Sequence, residues 1–381
     1  MPFFIFYLTF GLLAYTYIGY LVIIFLLSIF MENKTRRMSI VPDVTVIIPV
    51  FNEEKSIARK LKNCLNYDYP RDHLKILVVS DCSTDGTDEI VKSFKSEQIK
   101  LLALEERRGK VAAQNFALEH TESEIIIFTD SAIQTPPNSI KKIVSNFADS
   151  SIGAVSCHDK IIKENEKYDG EDRYIKYDML VRRFISRTHS LIGVTGGFYA
   201  IRRKLIQAPW NPAFPPDFYA AILCIKQGYR VVEDPEVEAF YKTAVKRSDE
   251  YQRKVRTFNR GIHAFFANIL LLNIFKYKLS AFALISQKLF RWLTPLFFAA
   301  MFISNIFLVE HHFLYKIAFY SQIFIYGFCA LSLLLHKLKV PLFFLEYFYY
   351  FAITYSALIK AWLEFFRGKK YAIWQPTIRE N

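Results

Sequence analysis

The chain has 381 residues, 52% of them hydrophobic, 17% aromatic and 22% charged, with a formal charge of +13. That is too apolar for a wholly soluble protein and too polar for a bundle buried in lipid, which leaves a water-facing domain joined to membrane segments. The positive charge has no nucleic-acid motif beside it and gathers next to apolar segments, in "NKTRR" (33–37), "HKLK" (336–339) and "RGKK" (367–370), so membrane lipids are expected as partners and nucleic acid is not.

Residues 3–30 form an uncharged stretch longer than the roughly 20 residues that a spanning helix needs. It lacks the basic start and small-residue cleavage site of a signal peptide, so residues 1–31 are expected to be an N-terminal membrane helix. The "KTRR" that follows predicts a cytoplasmic position for the domain after it. The five cysteines show no CxxC spacing, which fits free thiols in a reducing compartment.

From Val44 the pattern changes to short apolar runs alternating with amphipathic stretches. "VTVIIPV" (44–50), "LKILVVSD" (74–81), "IKLLALE" (99–105), "EIIIFTD" (124–130) and "IGAVSC" (152–157) read as strands, with helical patterns such as "EEKSIARKLKNCL" and "GKVAAQNFALEH" between them. This alternation predicts a mostly parallel α/β sheet flanked by helices, within a domain spanning 42–248. Ligands of such sheets bind beyond the carboxyl ends of the strands, where "PVFNE", "SDCSTDG" and "FTDS" lie. Residues 249–292 turn basic and amphipathic, as interface helices do. Residues 293–381 hold three apolar stretches (about 293–309, 313–335 and 341–366), expected as a C-terminal transmembrane region with a short tail. Three spans would leave "RGKK" outside, so either one stretch is interfacial or re-entrant, or the charge rule fails here.

Several polar residues have local explanations. Asn52 and Glu53 suit a helix start, and turn chemistry accounts for Ser83, Asp85 and Gly86. An aspartate at a strand end, like Asp81, can also accept hydrogen bonds from a ribose or a base. Lys110 is different, because a cation at a helix N-terminus opposes the helix dipole, and phosphate binding explains it better. Asp217 in "FPPDFYAAILCIKQ" could simply cap the helix after it.

"PVFNE", "VVSDCSTDGT", "GKVAAQNFAL", "FTD", "TGGFYAIRRKL" (195–205) and "FPPDFYAAILCIKQGYRVV" (214–232) occur in the order and spacing of the family 2 glycosyltransferases, which the chain resembles over about residues 44–260. The flanking apolar segments look like the family's membrane-integrated, polysaccharide-building branch. The resemblance implies a GT-A-type domain that binds a nucleotide-sugar, in this family usually a UDP-sugar. By position, Asn52, Glu53, Asp81, Lys110 and Asp130 would then form the donor nucleotide site, and Asp217 would be the catalytic base despite Pro216 before it. Asp130 matches the first acid of the metal-binding DxD signature, whose second acid is replaced here by Ala132. One carboxylate can hold Mg²⁺ or Mn²⁺ when substrate phosphates complete the shell, so a divalent metal is the expected cofactor.

On the acceptor side the resemblance points to Gly196 and Gly197. The QxxRW signature of polymer-making members has two partial equivalents, "QKLFRW" with Gln287, Arg291 and Trp292, and "QRKVRTFNRG" with Arg256 and Arg260. Both are equally well read as a basic interface helix. The expected activity is inverting transfer of a sugar to a growing polysaccharide or lipid-linked glycan at the cell membrane. Charging of a polyprenyl phosphate with one sugar, and a non-catalytic nucleotide-binding membrane subunit, stand as alternatives. An export partner or a homo-oligomer is left open.

Overall fold

The structure, a computed structural model, describes residues 1–31, 33–162, 169–241, 247–338, 340 and 343–371. Lys339 of the "HKLK" run, the start of the third apolar stretch at 341–342 and the tail from 372 lie outside the described residues.

Helices α1 (Pro2–Ala14) and α2 (Tyr20–Phe30) join through a wide turn at Tyr15–Gly19 into one rod. The following domain runs β1 (Val44–Val50), α3 (Ile57–Leu65), β2 (Leu74–Ser80), α4 (Thr87–Ser93), β3 (Ile99–Ala103), α5 (Lys110–Leu118), β4 (Ile125–Thr129) and α6 (Ser139–Ser145). It continues with β5 (Ile152–Ile161), α7 (Asp169–Thr188), β6 (Phe198–Arg202), α8 (Pro216–Lys226) and β7 (Arg230–Tyr241). The seven strands form one sheet in the order β3-β2-β1-β4-β6-β5-β7, parallel except for β6, which runs antiparallel to both neighbours. Every residue of β1 and β4 is buried because apolar side chains pack on both faces of the sheet, which is why these strands read as unbroken apolar runs.

Val44 pairs with Leu74 on one side and with Ile125 on the other, so β1, β2 and β4 deliver their carboxyl ends to one edge. The chain order reverses across β1, and a crevice opens at that edge. The loops after β1, β2 and β4 meet there. Two strands, β6 and β7, complete the sheet beyond those the apolar runs predict.

The C-terminal part comprises α9 (Arg247–Ala267), α10 (Ile274–Leu284), α11 (Phe290–Ile306), α12 (Phe313–Lys337) and α13 (Glu346–Phe366). Among the described residues three helical stretches are long and apolar enough to cross a membrane: Pro2–Phe30, Ile274–Ile306 and Phe313–Lys337. They expose large side chains such as Phe4, Phe10, Ile18, Leu296, Ile303 and Phe324, a surface that water does not favour.

The helix through "SQKLFRW" runs on past Trp292, from α10 into α11, through a wide turn at Ile285–Leu289. One extra residue is accommodated there as a π-type bulge without breaking the backbone ladder. The third apolar stretch becomes α13, which carries Glu346, Lys360 and Glu364 and lies along α9 rather than qualifying as a span. Asn259 donates to the Ala361 carbonyl at 3.5 Å and His263 meets the Phe365 ring, so its inner face is matched to α9.

Candidate active site

The loops after β1 and β2 are laced together. Asn52, in the left-handed region at φ 53°, accepts from the Thr84 amide at 2.8 Å, and its own amide donates to the Ser83 hydroxyl at 3.2 Å. The Glu53 amide donates to Thr87 at 2.8 Å, and its carboxylate accepts from Ser56 at the start of α3. Beside them Arg107 lies over the Phe51 ring, 3.8 Å from its centroid, a flat pair that the sequence motifs do not mark.

Asp81 is almost wholly buried, and its two oxygens accept from the Arg108 and Gly109 amides at 2.7 and 2.8 Å. It therefore shapes the loop leading into α5. Gly109 occupies φ 91°, a conformation that a side chain would strain, and the chain turns there to start the helix at Lys110. Lys110 forms an ion pair with Asp130 across the crevice. Asn115, one turn on, is tied to the Trp210 backbone in both directions and does not reach the site.

Asp130 stands at the end of β4, and its amide donates to the Gly197 carbonyl at 3.2 Å. The next residue of that loop, Gly196, faces Asp217, since a Cβ built there would lie 3.9 Å from the carboxylate. A side chain on Gly197 would press on Ile133 at 2.9 Å. Gly197 thus leaves room for Ile133, and Gly196 lies against Asp217 at ordinary contact distance. Tyr199, buried on β6, senses the charges of both acids, and its hydroxyl has no hydrogen-bond partner among the described residues.

Helix α8 begins at Pro216, so Asp217 sits in its first turn and does not cap it. Among the described residues no group donates a hydrogen bond to its carboxylate, while its backbone carbonyl accepts from Val194 at 3.1 Å. Arg260, from α9, donates to the Pro212 and Phe214 carbonyls at 3.1 and 2.5 Å, fixing the loop before Asp217. Burial pulls the Arg260 guanidinium down to about 10, partly offset by the charge of Asp217. Arg256 lies one turn away, half-buried, and is also lowered by burial and then by Arg253.

The "QKLFRW" residues go three ways. Gln287 donates to the Tyr20 hydroxyl at 2.5 Å, binding α10–α11 to the N-terminal rod rather than to the site. Trp292 packs in the core between α9 and α13, against Gly261 and Phe265, with its carbonyl accepting from Trp362 at 2.9 Å. Lys288, which the motif treats as filler, lies over the Phe218 ring, 4.8 Å from its centroid, within the field of Asp217.

Arg291 joins a polar cluster on α7. Burial pushes the Asp178 carboxyl up, but Arg182, and behind it Arg291 and Lys288, hold it below its ordinary value. Nearby Asp159 is raised to about 6 by burial, against the opposing pull of Cys157 and Arg182. A carboxyl raised from 3.8 to about 6 contributes stability that is full below about 3.8 and is lost as pH rises from there through about 6. Asp159→Asn is expected to raise the melting temperature, relative to wild type, by roughly 2–4 °C more at pH 8 than at pH 4; scanning calorimetry at the two pH values checks this.

The metal expectation meets a sparse donor set. At the mouth of β4 the protein offers Asp130, with Ala132 two positions on, and no group of three His, Cys, Asp or Glu side chains exists among the described residues. These residues fit a divalent ion whose shell is completed by a ligand's phosphates, and not one caged by the protein alone.

Comparison with known proteins agrees with this architecture. Residues 45–208 match the Glycosyl transferase family 2 model. Glycosyltransferase AglE of Haloferax volcanii is 28% identical over 160 residues, 40% of this chain and 53% of that protein. Beta-monoglucosyldiacylglycerol synthase of Nostoc is 30% identical over 178 residues, 45% of this chain and 38% of that protein. The chain thus spans about half or less of the length of these curated relatives. The solved mannosyltransferase PcManGT of Pyrobaculum calidifontis, in complex with GDP-Man and Mn²⁺, superposes with a TM-score of 0.73 at 22% identity, covering 96% of this chain and 100% of that one. That structure shares the fold, membrane-length helices included in the overlap. The family model lies across the strands that build the crevice, so residues 45–208 carry a domain similar to the family 2 glycosyltransferases.

Proposed function

We propose that the protein is a membrane-bound inverting glycosyltransferase that moves a sugar from a nucleotide-sugar, a UDP-sugar in the first instance, to a growing polysaccharide or lipid-linked glycan. The observation that carries this reading is the placing of two acids on either side of Gly196–Gly197: Asp130, joined to Lys110, and Asp217, whose carboxylate accepts no hydrogen bond among the described residues. One end of the crevice is suited to a diphosphate and the other to a base.

Asp217 takes the proton of an acceptor hydroxyl as that oxygen forms a bond to the anomeric carbon. The carbon's bond to the diphosphate breaks on the opposite face, inverting the centre. Lys110 stabilises the charge that develops on the leaving diphosphate. A divalent ion, Mg²⁺ or Mn²⁺, held by Asp130 and the diphosphate would add to that neutralisation. Asn52, Glu53 and Asp81 shape the nucleotide side, and Arg260 positions the loop that carries Asp217.

The spans also support a cytoplasmic domain. If "KTRR" keeps the end of the N-terminal rod inside, the helices Ile274–Ile306 and Phe313–Lys337 cross out and back. The "HKLK" run, α13 and "RGKK" then all lie on the inner side, and the charge conflict of a three-span reading disappears. Trp292 and α9 hold the domain close to the bilayer, where a lipid-linked acceptor reaches Asp217 along the membrane plane.

A second reading, addition of one sugar to a polyprenyl phosphate, is favoured by a specific observation. Lys288 and Arg291, from a helix of membrane-spanning length, enter the polar cluster beside Asp217 and could meet a lipid phosphate. The test of both is a panel of labelled UDP- and GDP-sugars offered to membranes containing the protein, with Mn²⁺ or with chelator. Incorporation into large products is expected for polymer or glycan extension, and a small organic-soluble product for the lipid phosphate. Nucleotide binding with no incorporation from any donor would leave only a binding subunit.

A further inference from the structure

Behind the turn that carries Asp130 lies a second lysine that the transfer chemistry does not use. Lys60, on α3, is wholly buried, and its ammonium donates to the Thr129 hydroxyl at 3.0 Å and to the Ile133 carbonyl at 2.7 Å. Both partners are neutral. Buried cations are ordinarily matched by a carboxylate at contact distance, because desolvation is otherwise poorly compensated. Burial lowers the Lys60 ammonium from its ordinary value, against the opposing pull of Cys64 and of Asp130, the carboxylate that stands between its two partners in the turn.

The open side of the same turn carries Lys110, paired with Asp130, and Ala132 stands where a second acid would add negative charge. One carboxylate is therefore set between two lysines, one enclosed and fixed, the other at the mouth of the crevice. Among these three groups two are cations and one is an anion, a balance that suits an incoming diphosphate. A turn designed around a divalent ion has the opposite balance, with surplus carboxylate for the ion to neutralise.

We propose that Lys60 is a built-in cation that takes over part of the divalent ion's share in holding the donor diphosphate, so that nucleotide binding depends only weakly on metal. This rests on the reading of the Asp130–Lys110 crevice as the donor site. Lys60 does not touch the nucleotide. It is a positioning residue that acts through the Thr129–Ile133 turn and through its charge.

A mere fastener of the turn would affect nucleotide affinity alike with and without metal, and this separates the two roles. The measurement is calorimetric titration of the full-length protein in detergent with UDP and with GDP, each in Mn²⁺ and in EDTA. For the better-bound nucleotide, wild-type affinity in EDTA is expected within about tenfold of that in Mn²⁺. Lys60→Met should widen the ratio by about 30-fold, through loss on the EDTA side, the size expected for a unit charge several ångströms away at a protein-like dielectric. Ala132→Asp is partly exposed and leaves Lys60 in place, so it serves even if the first variant fails to fold. It should weaken binding in EDTA and strengthen it in Mn²⁺, widening the ratio from the other side.

A wild-type ratio above about tenfold, an equal loss in both conditions for Lys60→Met, or an unchanged ratio for Ala132→Asp would overturn the inference. Failure of wild type to bind either nucleotide in Mn²⁺ would instead overturn the donor-site reading, and the inference with it.

Discussion

Replacing Asp217 with Asn is expected to lower kcat by about 10³-fold while donor affinity stays within about twofold. Asn keeps the size and shape of the side chain but cannot take a proton at neutral pH. The substitution also disturbs little else. Helix α8 starts at Pro216 without side-chain capping, and among the described residues nothing donates to the Asp217 carboxylate. The melting temperature should therefore hold within about 2 °C, because no named stabilising contact is removed. Steady-state kinetics and nucleotide titration on the same preparation check the split between kcat and binding. A loss of less than about tenfold would place the base elsewhere, and Asp159, raised to about 6 and in the adjoining cluster, would be examined next.

The second large effect is expected at Lys110. Lys110→Met should lower kcat/KM by about 10²–10³-fold, since the leaving diphosphate loses a preorganised cation. The fold should hardly notice. The Lys110–Asp130 pair is partly open to water, at 17% and 29% side-chain exposure, and pairs of that kind contribute about 1 kcal/mol or less. A change in melting temperature of more than about 5 °C without a kinetic loss would make Lys110 structural. Asp130→Asn combined with Lys110→Met tests the coupling. The two residues share one contact, so their kinetic losses should fall short of additive.

Much of the sheet was legible because its physics is local. Strands covered on both faces need unbroken apolar runs, and "VTVIIPV" and "EIIIFTD" could hardly do otherwise. Their polar endings marked the ligand edge for the same reason: a carboxylate such as Asp130 is affordable only where the strand leaves the core. Strand β6 was not marked as a strand. It runs antiparallel between β4 and β5, and its "FYAIR" holds no local sign of that pairing. The membrane count was also overdrawn at the C-terminus. Residues 346–366 are apolar enough to attract notice, yet Lys360 reaches the Tyr251 ring of α9 and Glu364 binds Lys369 and Tyr371 just past the helix.

The site divides in the same way. Lys110 was legible because a cation at a helix start is locally unfavourable and so asks for another reason. Gln287 and Trp292 were read together from one motif, but a bulge in the helix turns Gln287 to Tyr20 and Trp292 into the α9–α13 packing. The same bulge brings Lys288 to Phe218. Asp81 was read for the nucleotide, and the structure engages it with the Arg108 and Gly109 amides.

The sequence by itself determined the family resemblance of the strand–helix domain, its alternation, the ligand edge and the apolar segments, since each follows from periodicity or from motifs in contiguous residues. Only the tertiary structure decided which acids face one another across Gly196–Gly197, which arginine steadies the Asp217 loop, and that Lys60 lies enclosed beneath Asp130. These relations join residues tens of positions apart. Their energies depend on distance and burial in space, and neither quantity is written in the spacing of residues along the chain.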